Sequence, residues 1–83
     1  MNQSQKINGE YIKDLRLKIG NSIRLIREKR GYSQDQLAEI MDVNRSTISK
    51  IENGKFSFSI DYLSKFSWFL DFNILLSDEN DSK

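Results

Sequence analysis

The chain reads as an all-α domain of about five helices, and three observations predict this. Apolar residues recur at steps of three and four over most of its length. Serine and asparagine caps and glycine stops divide that pattern into helix-sized pieces. No proline, no alternating strand-like run and no internal repeat interrupts it.

Residues 1–8 are polar and unpatterned. The chain divides into an N-terminal arm or extension over 1–12, a domain over 13–76 and a polar tail over 77–83 expected to be disordered. From about Gly9 the pattern turns helical. Ile12, Leu15, Ile19, Ile23 and Ile26 line one face, while Lys13, Arg16, Lys18, Arg24, Arg27, Lys29 and Arg30 fall largely off it. Gly20 leaves open whether this is one long helix or two shorter ones. Gly31 is a natural stop, because glycine takes the left-handed conformation without a Cβ clash.

Ser33, with Gln36 three residues later, is a capping box and starts the second helix. Its inward side is Leu37 with Ile40 or Met41, and Ala38 is small enough for another helix to cross closely. Asn44 caps the third helix, which turns Ile48 and Ile51 inward and stops at Asn53-Gly54. Ser59 opens a fourth, with Ile60, Leu63, Phe66, Ser67 and Leu70 on its buried side. Asn73 is placed to cap a last short turn through Ile74, Leu75 and Leu76.

The 83 residues leave room for one domain. With no cysteine and no histidine there is no disulfide, no thiolate metal site and no common general base. No glycine loop is built to cradle a phosphate, so an enzyme lacks candidate groups, and no cofactor or metal is expected. Nothing approaches the ~20 apolar residues of a membrane span, and the N-terminus has no apolar signal segment, so a cytoplasmic protein is expected. The net charge of +1 hides an asymmetry. Residues 1–55 hold eleven Lys/Arg against seven Asp/Glu, and residues 56–83 hold two against five. A basic first part and an acidic end suit a chain that turns one face to an anionic partner.

The second and third helices, joined by a tight turn, form a pair that can rest one helix across a DNA backbone and place the other in the major groove. Read from its cap, the third helix sends Arg45, Ser46, Ser49 and Lys50 outward. Arg or Lys can donate twice to O6 and N7 of guanine, and Ser and Thr can bond bases or phosphates. Gln34 has its amide at a helix N-terminus, where backbone N–H groups also favour an anion. Asn53, Gly54 and Lys55 form a turn open to the backbone from the other side. Arg24, Ser33 and Thr47 join Gln34, Asn53 and Lys55 as expected phosphate contacts. The competing reading is an ordinary solvated helix face; tight turn, small Ala38, caps and outward donors together weigh against it.

These residues resemble the XRE family, the phage-repressor and Cro type of helix-turn-helix domain. The matching signature is Ile23-Arg24, Arg27, Gly31-Tyr32-Ser33-Gln34, Leu37-Ala38, Val43-Asn44-Arg45-Ser46-Thr47-Ile48-Ser49, Ile51-Glu52-Asn53-Gly54-Lys55 and Ser59-Ile60 to Leu70. The resemblance implies a five-helix, lambda-repressor-like domain, here with an N-terminal extension, that acts as a homodimer on double-stranded DNA with a near-palindromic sequence. It implies a phosphate contact for Gln34 and base reading by Arg45, Ser46, Ser49 and Lys50. It also implies a structural ion pair between Arg27 and Glu52, the alternative being Arg27 on a phosphate. Two positions depart from the pattern: Asp42 stands where glycine is usual in the turn, and Phe58 where proline is common.

Aromatic residues crowd the C-terminal part: Phe56, Phe58, Tyr62, Phe66, Trp68, Phe69 and Phe72. Trp68 falls opposite the buried stripe of its helix, and with Phe72 and Leu75 it makes a patch that water disfavours. A dimer interface through Trp68, Phe72 and Leu75 is expected, the alternative being Trp68 folded over the protein's own surface. The leading function is a transcription regulator, repressor or autoregulator. The alternatives are a module that binds a protein partner through the aromatic patch, as antitoxins of this fold do, and a controller of a restriction–modification system.

Overall fold

The computed structural model describes residues 8–78. Within them four helices form: α1 (Gly9–Lys29), α2 (Gln34–Met41), α3 (Arg45–Glu52) and α4 (Ile60–Leu70). The expected fifth helix is absent among the described residues. Residues 72–78 carry no regular structure, and Ile74, Leu75 and Leu76 are exposed. A three-residue apolar run is far below the length at which a helix holds without tertiary support. The four residues Gly9 to Ile12, placed in the arm from sequence, form the first turn of α1. Asn8 caps that turn by accepting from the N–H of Glu10 at 2.8 Å.

Gly20 does not divide α1. It is buried, and a Cβ built on it would lie 2.2 Å from the carbonyl oxygen of Ile51 and 2.8 Å from that of Glu52. The glycine therefore lets α1 cross the C-terminal end of α3 at backbone contact distance. Gly54 serves the same junction from the other side. It takes φ +71°, and its α-carbon sits so close to Leu17 that a Cβ would meet that side chain at 2.9 Å.

The core is Ile23 of α1, Leu37, Ala38 and Met41 of α2, Ile48 and Ile51 of α3, and Phe66 and Leu70 of α4. Met41 rather than Ile40 completes the buried side of α2, since Ile40 is 41% exposed. One residue along a helix turns a side chain by about 100°, which apolar character alone does not discriminate. Ile60, expected on the buried side of α4, is exposed, because it stands at the first turn beyond the reach of the core. Tyr62 stacks on Phe66 with ring centres 6.0 Å apart and meets Phe56 edge-on at 6.2 Å.

The helix ends follow local chemistry. Ser33 and Gln36 complete a reciprocal capping box at 3.0 and 2.8 Å. Asn44 stands at the start of α3 but makes no side-chain cap hydrogen bond. Ser59 accepts from the N–H of Tyr62 at 3.1 Å. Asp42 ends α2 in the left-handed conformation at φ 57°, and Asp71 ends α4 the same way at φ 59°. The last carbonyls of α4 are capped from another helix end: Arg30, just past α1, donates from Nε to Leu70 O at 2.7 Å and from Nη2 to Asp71 O at 2.8 Å. A cation there also suits the negative end of the α4 dipole.

Candidate nucleic-acid interface

The candidate face is built on α3, held from beneath by Ile48 and Ile51, both with no exposed surface. Burial of two side chains three apart fixes the rotation of so short a helix and decides what points out. Arg45, Ser46 and Lys50 are exposed, while Thr47 and Ser49 are half-buried at its edges. Each of these side chains carries a hydrogen-bond donor and has a size that fits a groove floor.

Beneath the face lies a buried ion pair. Arg27 donates from Nε to Glu52 Oε2 at 2.6 Å and from Nη2 to Glu52 Oε1 at 3.1 Å. Its remaining terminal nitrogen donates to the carbonyl of Tyr32 at 2.8 Å. Donating to the Glu52 carboxylate raises the Arg27 pKa above its ordinary value, against the opposing effect of burial. Only 9% of the Arg27 side chain and 1% of that of Glu52 is exposed. The two residues clamp α1, the loop after it and the end of α3 together.

Gln34 belongs to this network. Its amide Nε2 donates to Glu52 Oε1 at 2.9 Å. The amide is thus held by the buried carboxylate, because the N-terminus of α2 packs beside the C-terminus of α3. One N–H of that amide stays available, and its direction is set by the ion pair.

The other sequence-predicted phosphate contacts differ in how far their side chains are already engaged. Ser33 Oγ accepts from the N–H of Gln36 in its cap, which leaves its O–H to donate. Arg24 is half-buried on α1, pairs with Glu28 at 3.3 Å and donates to Asn21 Oδ1. Asn53 donates from Nδ2 to Ser49 O at 2.9 Å, which steadies the turn after α3. Lys55 is exposed, and its backbone N–H bonds Lys50 O at 2.8 Å. Sequence reading missed Asp35, whose Oδ1 lies 3.3 Å from Arg45 Nε across the helix-turn-helix. No local signal marks that contact, since the two residues stand on different helices.

Of the expected aromatic patch, Trp68 and Phe72 come together at the C-terminal end of α4, and Leu75 does not join them in the same depression. Trp68 is 81% exposed and shares a shallow depression with Ser67, Asp71, Phe72 and Asn73. Phe72 is half-buried there, held by its N–H to Ser67 O at 3.2 Å and by a hydrogen bond from Ser67 Oγ to its carbonyl. Leu75 is 84% exposed further along the chain. Among the described residues no group of His, Cys, Asp and Glu is arranged to hold a metal ion, and no helix is long and apolar enough to cross a membrane.

Comparison with known proteins agrees with this geometry. A helix-turn-helix family model matches residues 23–74, which takes in the whole of α2, α3 and α4. The competence pilus inhibition repressor of Acinetobacter baylyi is 38% identical over 50 residues, covering 57% of this chain and 46% of the repressor. The chain thus spans about half the length of that relative. The control protein C.MunI of Mycoplasma is 38% identical over 55 residues, covering 65% of this chain and 74% of its own. Among solved structures, the restriction-modification controller protein C.AhdI from Aeromonas hydrophila superposes with a TM-score of 0.68 at 28% identity, over 72% of this chain and 91% of that one. HipB, in an O1–O2 complex, superposes with a TM-score of 0.65 at 26% identity, over 89% of this chain and 99% of that one. With the family model spanning most of the chain and the helix pair in place, the protein belongs to the XRE-type helix-turn-helix family of DNA-binding transcription regulators.

Proposed function

We propose that the protein binds a near-palindromic operator on double-stranded DNA as a homodimer, acting as a repressor or autoregulator in the cytoplasm. In each half-site α3 enters the major groove. The observation that carries this reading is the face of α3: exposed Arg45, Ser46 and Lys50 on a helix whose rotation is fixed by fully buried Ile48 and Ile51. Ser49 reads from the edge of the same face. Arg24, Ser33, Gln34, Thr47, Asn53 and Lys55 position the domain on phosphates. The names of the relatives, a repressor and two controller proteins, support a regulator of this kind. The test is selection of bound sequences from random duplexes at ~150 mM salt, a concentration at which non-specific phosphate binding is weak. A two-fold motif is expected, and the absence of enrichment overturns the reading.

Arg45 is the residue expected to carry most of the base preference. Arg45→Ala should cost ~1–3 kcal/mol on the selected sequence and relax preference at one position per half-site. Repeating the selection with the variant checks this. An unchanged motif would remove Arg45 from the base-reading set.

A single recognition helix makes too few contacts for tight specific binding, and two related by a two-fold axis stand about one DNA turn apart, ~34 Å. Trp68, Phe72 and Leu75 are the surface we assign to that contact. They lie on the acidic C-terminal part of the chain, and Trp68 is mostly exposed. Trp68→Glu should give a folded monomer that binds the operator weakly. Sedimentation equilibrium with circular dichroism measures both properties, and a variant still dimeric at micromolar concentration would place the interface elsewhere. The same exposed patch favours the second reading, a partner-binding module of antitoxin type. That reading predicts partner binding insensitive to salt, whereas operator binding falls steeply with it.

A further inference from the structure

Asp35 is an acidic side chain on a face otherwise suited to an anionic partner. It stands in the first turn of α2, directly after Gln34, and its carboxylate meets Arg45 Nε at 3.3 Å. Both side chains are well exposed, 78% for Asp35 and 63% for Arg45. An exposed pair of this kind adds little to folding stability, so the fold does not require it. Its place does have a consequence for binding. The pair lies between the start of α2, where a phosphate would sit, and the start of α3, where a base would be read.

Resting on the operator-binding reading above, we propose that Asp35 is a specificity-determining residue that positions the Arg45 guanidinium for a base and withholds it from phosphates. The approach is through Nε, which leaves the two terminal nitrogens as the edge that meets O6 and N7 of guanine. On DNA that offers guanine at that place, Arg45 keeps Asp35 and gains the base. On other DNA, Arg45 has to leave Asp35 to reach a phosphate, and Asp35 then faces the phosphate backbone with its charge uncompensated. Water is excluded as the surfaces close, which strengthens both the favourable pairing and the repulsion. The carboxylate thus lowers affinity for the wrong sequences more than for the right one, a discrimination built on repulsion as well as attraction.

The experiment compares the unmodified full chain with Asp35→Asn, which keeps the shape and removes the charge. Each protein is run through the random-duplex selection. Each is then titrated on the selected duplex and on a scrambled duplex across salt concentrations. Asp35→Asn should bind the scrambled duplex about tenfold more tightly, the scale on which one well-placed group discriminates between bases. It should also steepen the salt dependence on that duplex by about one unit, as when the protein neutralises one further phosphate. The position read by Arg45 should lose information in the selected motif, and Asp35→Glu should restore part of it. In an Arg45→Ala background the change of Asp35 to Asn should leave that position's already relaxed preference as it is. A purely structural role would move thermal stability and none of these readouts. If the unmodified protein yields a two-fold motif while Asp35→Asn retains both that motif and its weak scrambled-duplex binding, the role of Asp35 is overturned and operator binding stands. If the unmodified protein yields no motif, operator binding fails and this role fails with it.

Discussion

Gly20→Ala is expected to destabilise the protein by about 3 kcal/mol, the upper end of what overpacking usually costs. Two effects of opposite sign compete. In an exposed helix interior, alanine is better than glycine by about 1 kcal/mol, because glycine loses more backbone freedom on folding. At Gly20 the added methyl would sit 2.2 Å from Ile51 O and 2.8 Å from Glu52 O. Those are backbone atoms at the end of α3, so no rotamer change relieves the overlap, and one helix must move off the other. The clash therefore exceeds the propensity gain. Gly9 supplies the matched control: it opens the same helix with nothing within 4 Å of a built Cβ. Gly9→Ala should be neutral or slightly stabilising. Urea unfolding followed by circular dichroism checks the pair, and a Gly20→Ala variant as stable as Gly9→Ala would mean that α1 and α3 do not cross at backbone contact. The variant should also weaken DNA binding, since displacing α3 displaces the donors on its outer face.

The same glycine shows where sequence reading stops. As a local signal, Gly20 is a helix breaker; its actual role depends on a carbonyl 31 residues later, which no window around it contains. The Ser33 and Ser59 caps were legible because every atom involved lies within four residues. The rotation of α3 was legible too, since Ile48 and Ile51 leave one face for Arg45, Ser46 and Lys50. The contacts that tune the site were not. Asp35 reaches Arg45, Gln34 reaches Glu52 and Arg30 reaches the end of α4, each across a gap set by packing rather than by spacing. At the C-terminus, Ile74 to Leu76 have the apolar character of a helix face, but Leu75 and Leu76 find no cover in the described chain and stay 84% and 100% exposed.

Glu52→Ala is expected to cost ~3–5 kcal/mol, the range for removing one partner of a buried ion pair. The carboxylate accepts three hydrogen bonds, two from Arg27 and one from Gln34. Truncating it leaves the guanidinium of Arg27 in place, 9% exposed, with the carbonyl of Tyr32 and a distant approach to Glu28 at 3.9 Å. Neither replaces a full negative charge at 2.6 Å. The loss should thus come mostly from the charge left behind, and not from the pair's net value in the intact protein. A double-mutant cycle separates the two. Replacing both residues by apolar side chains of similar volume, Arg27→Met with Glu52→Leu, should destabilise far less than Glu52→Ala alone, because neither charge is then buried without its partner. DNA binding should still fall in the double variant, since Gln34 loses the acceptor that fixes its amide at the start of α2. Unfolding by urea gives the stabilities, and titration of the selected duplex below each variant's unfolding transition gives the binding. A double variant as unstable as the sum of its parts would mean that Arg27 and Glu52 support the fold separately, through packing of their aliphatic stems rather than through each other.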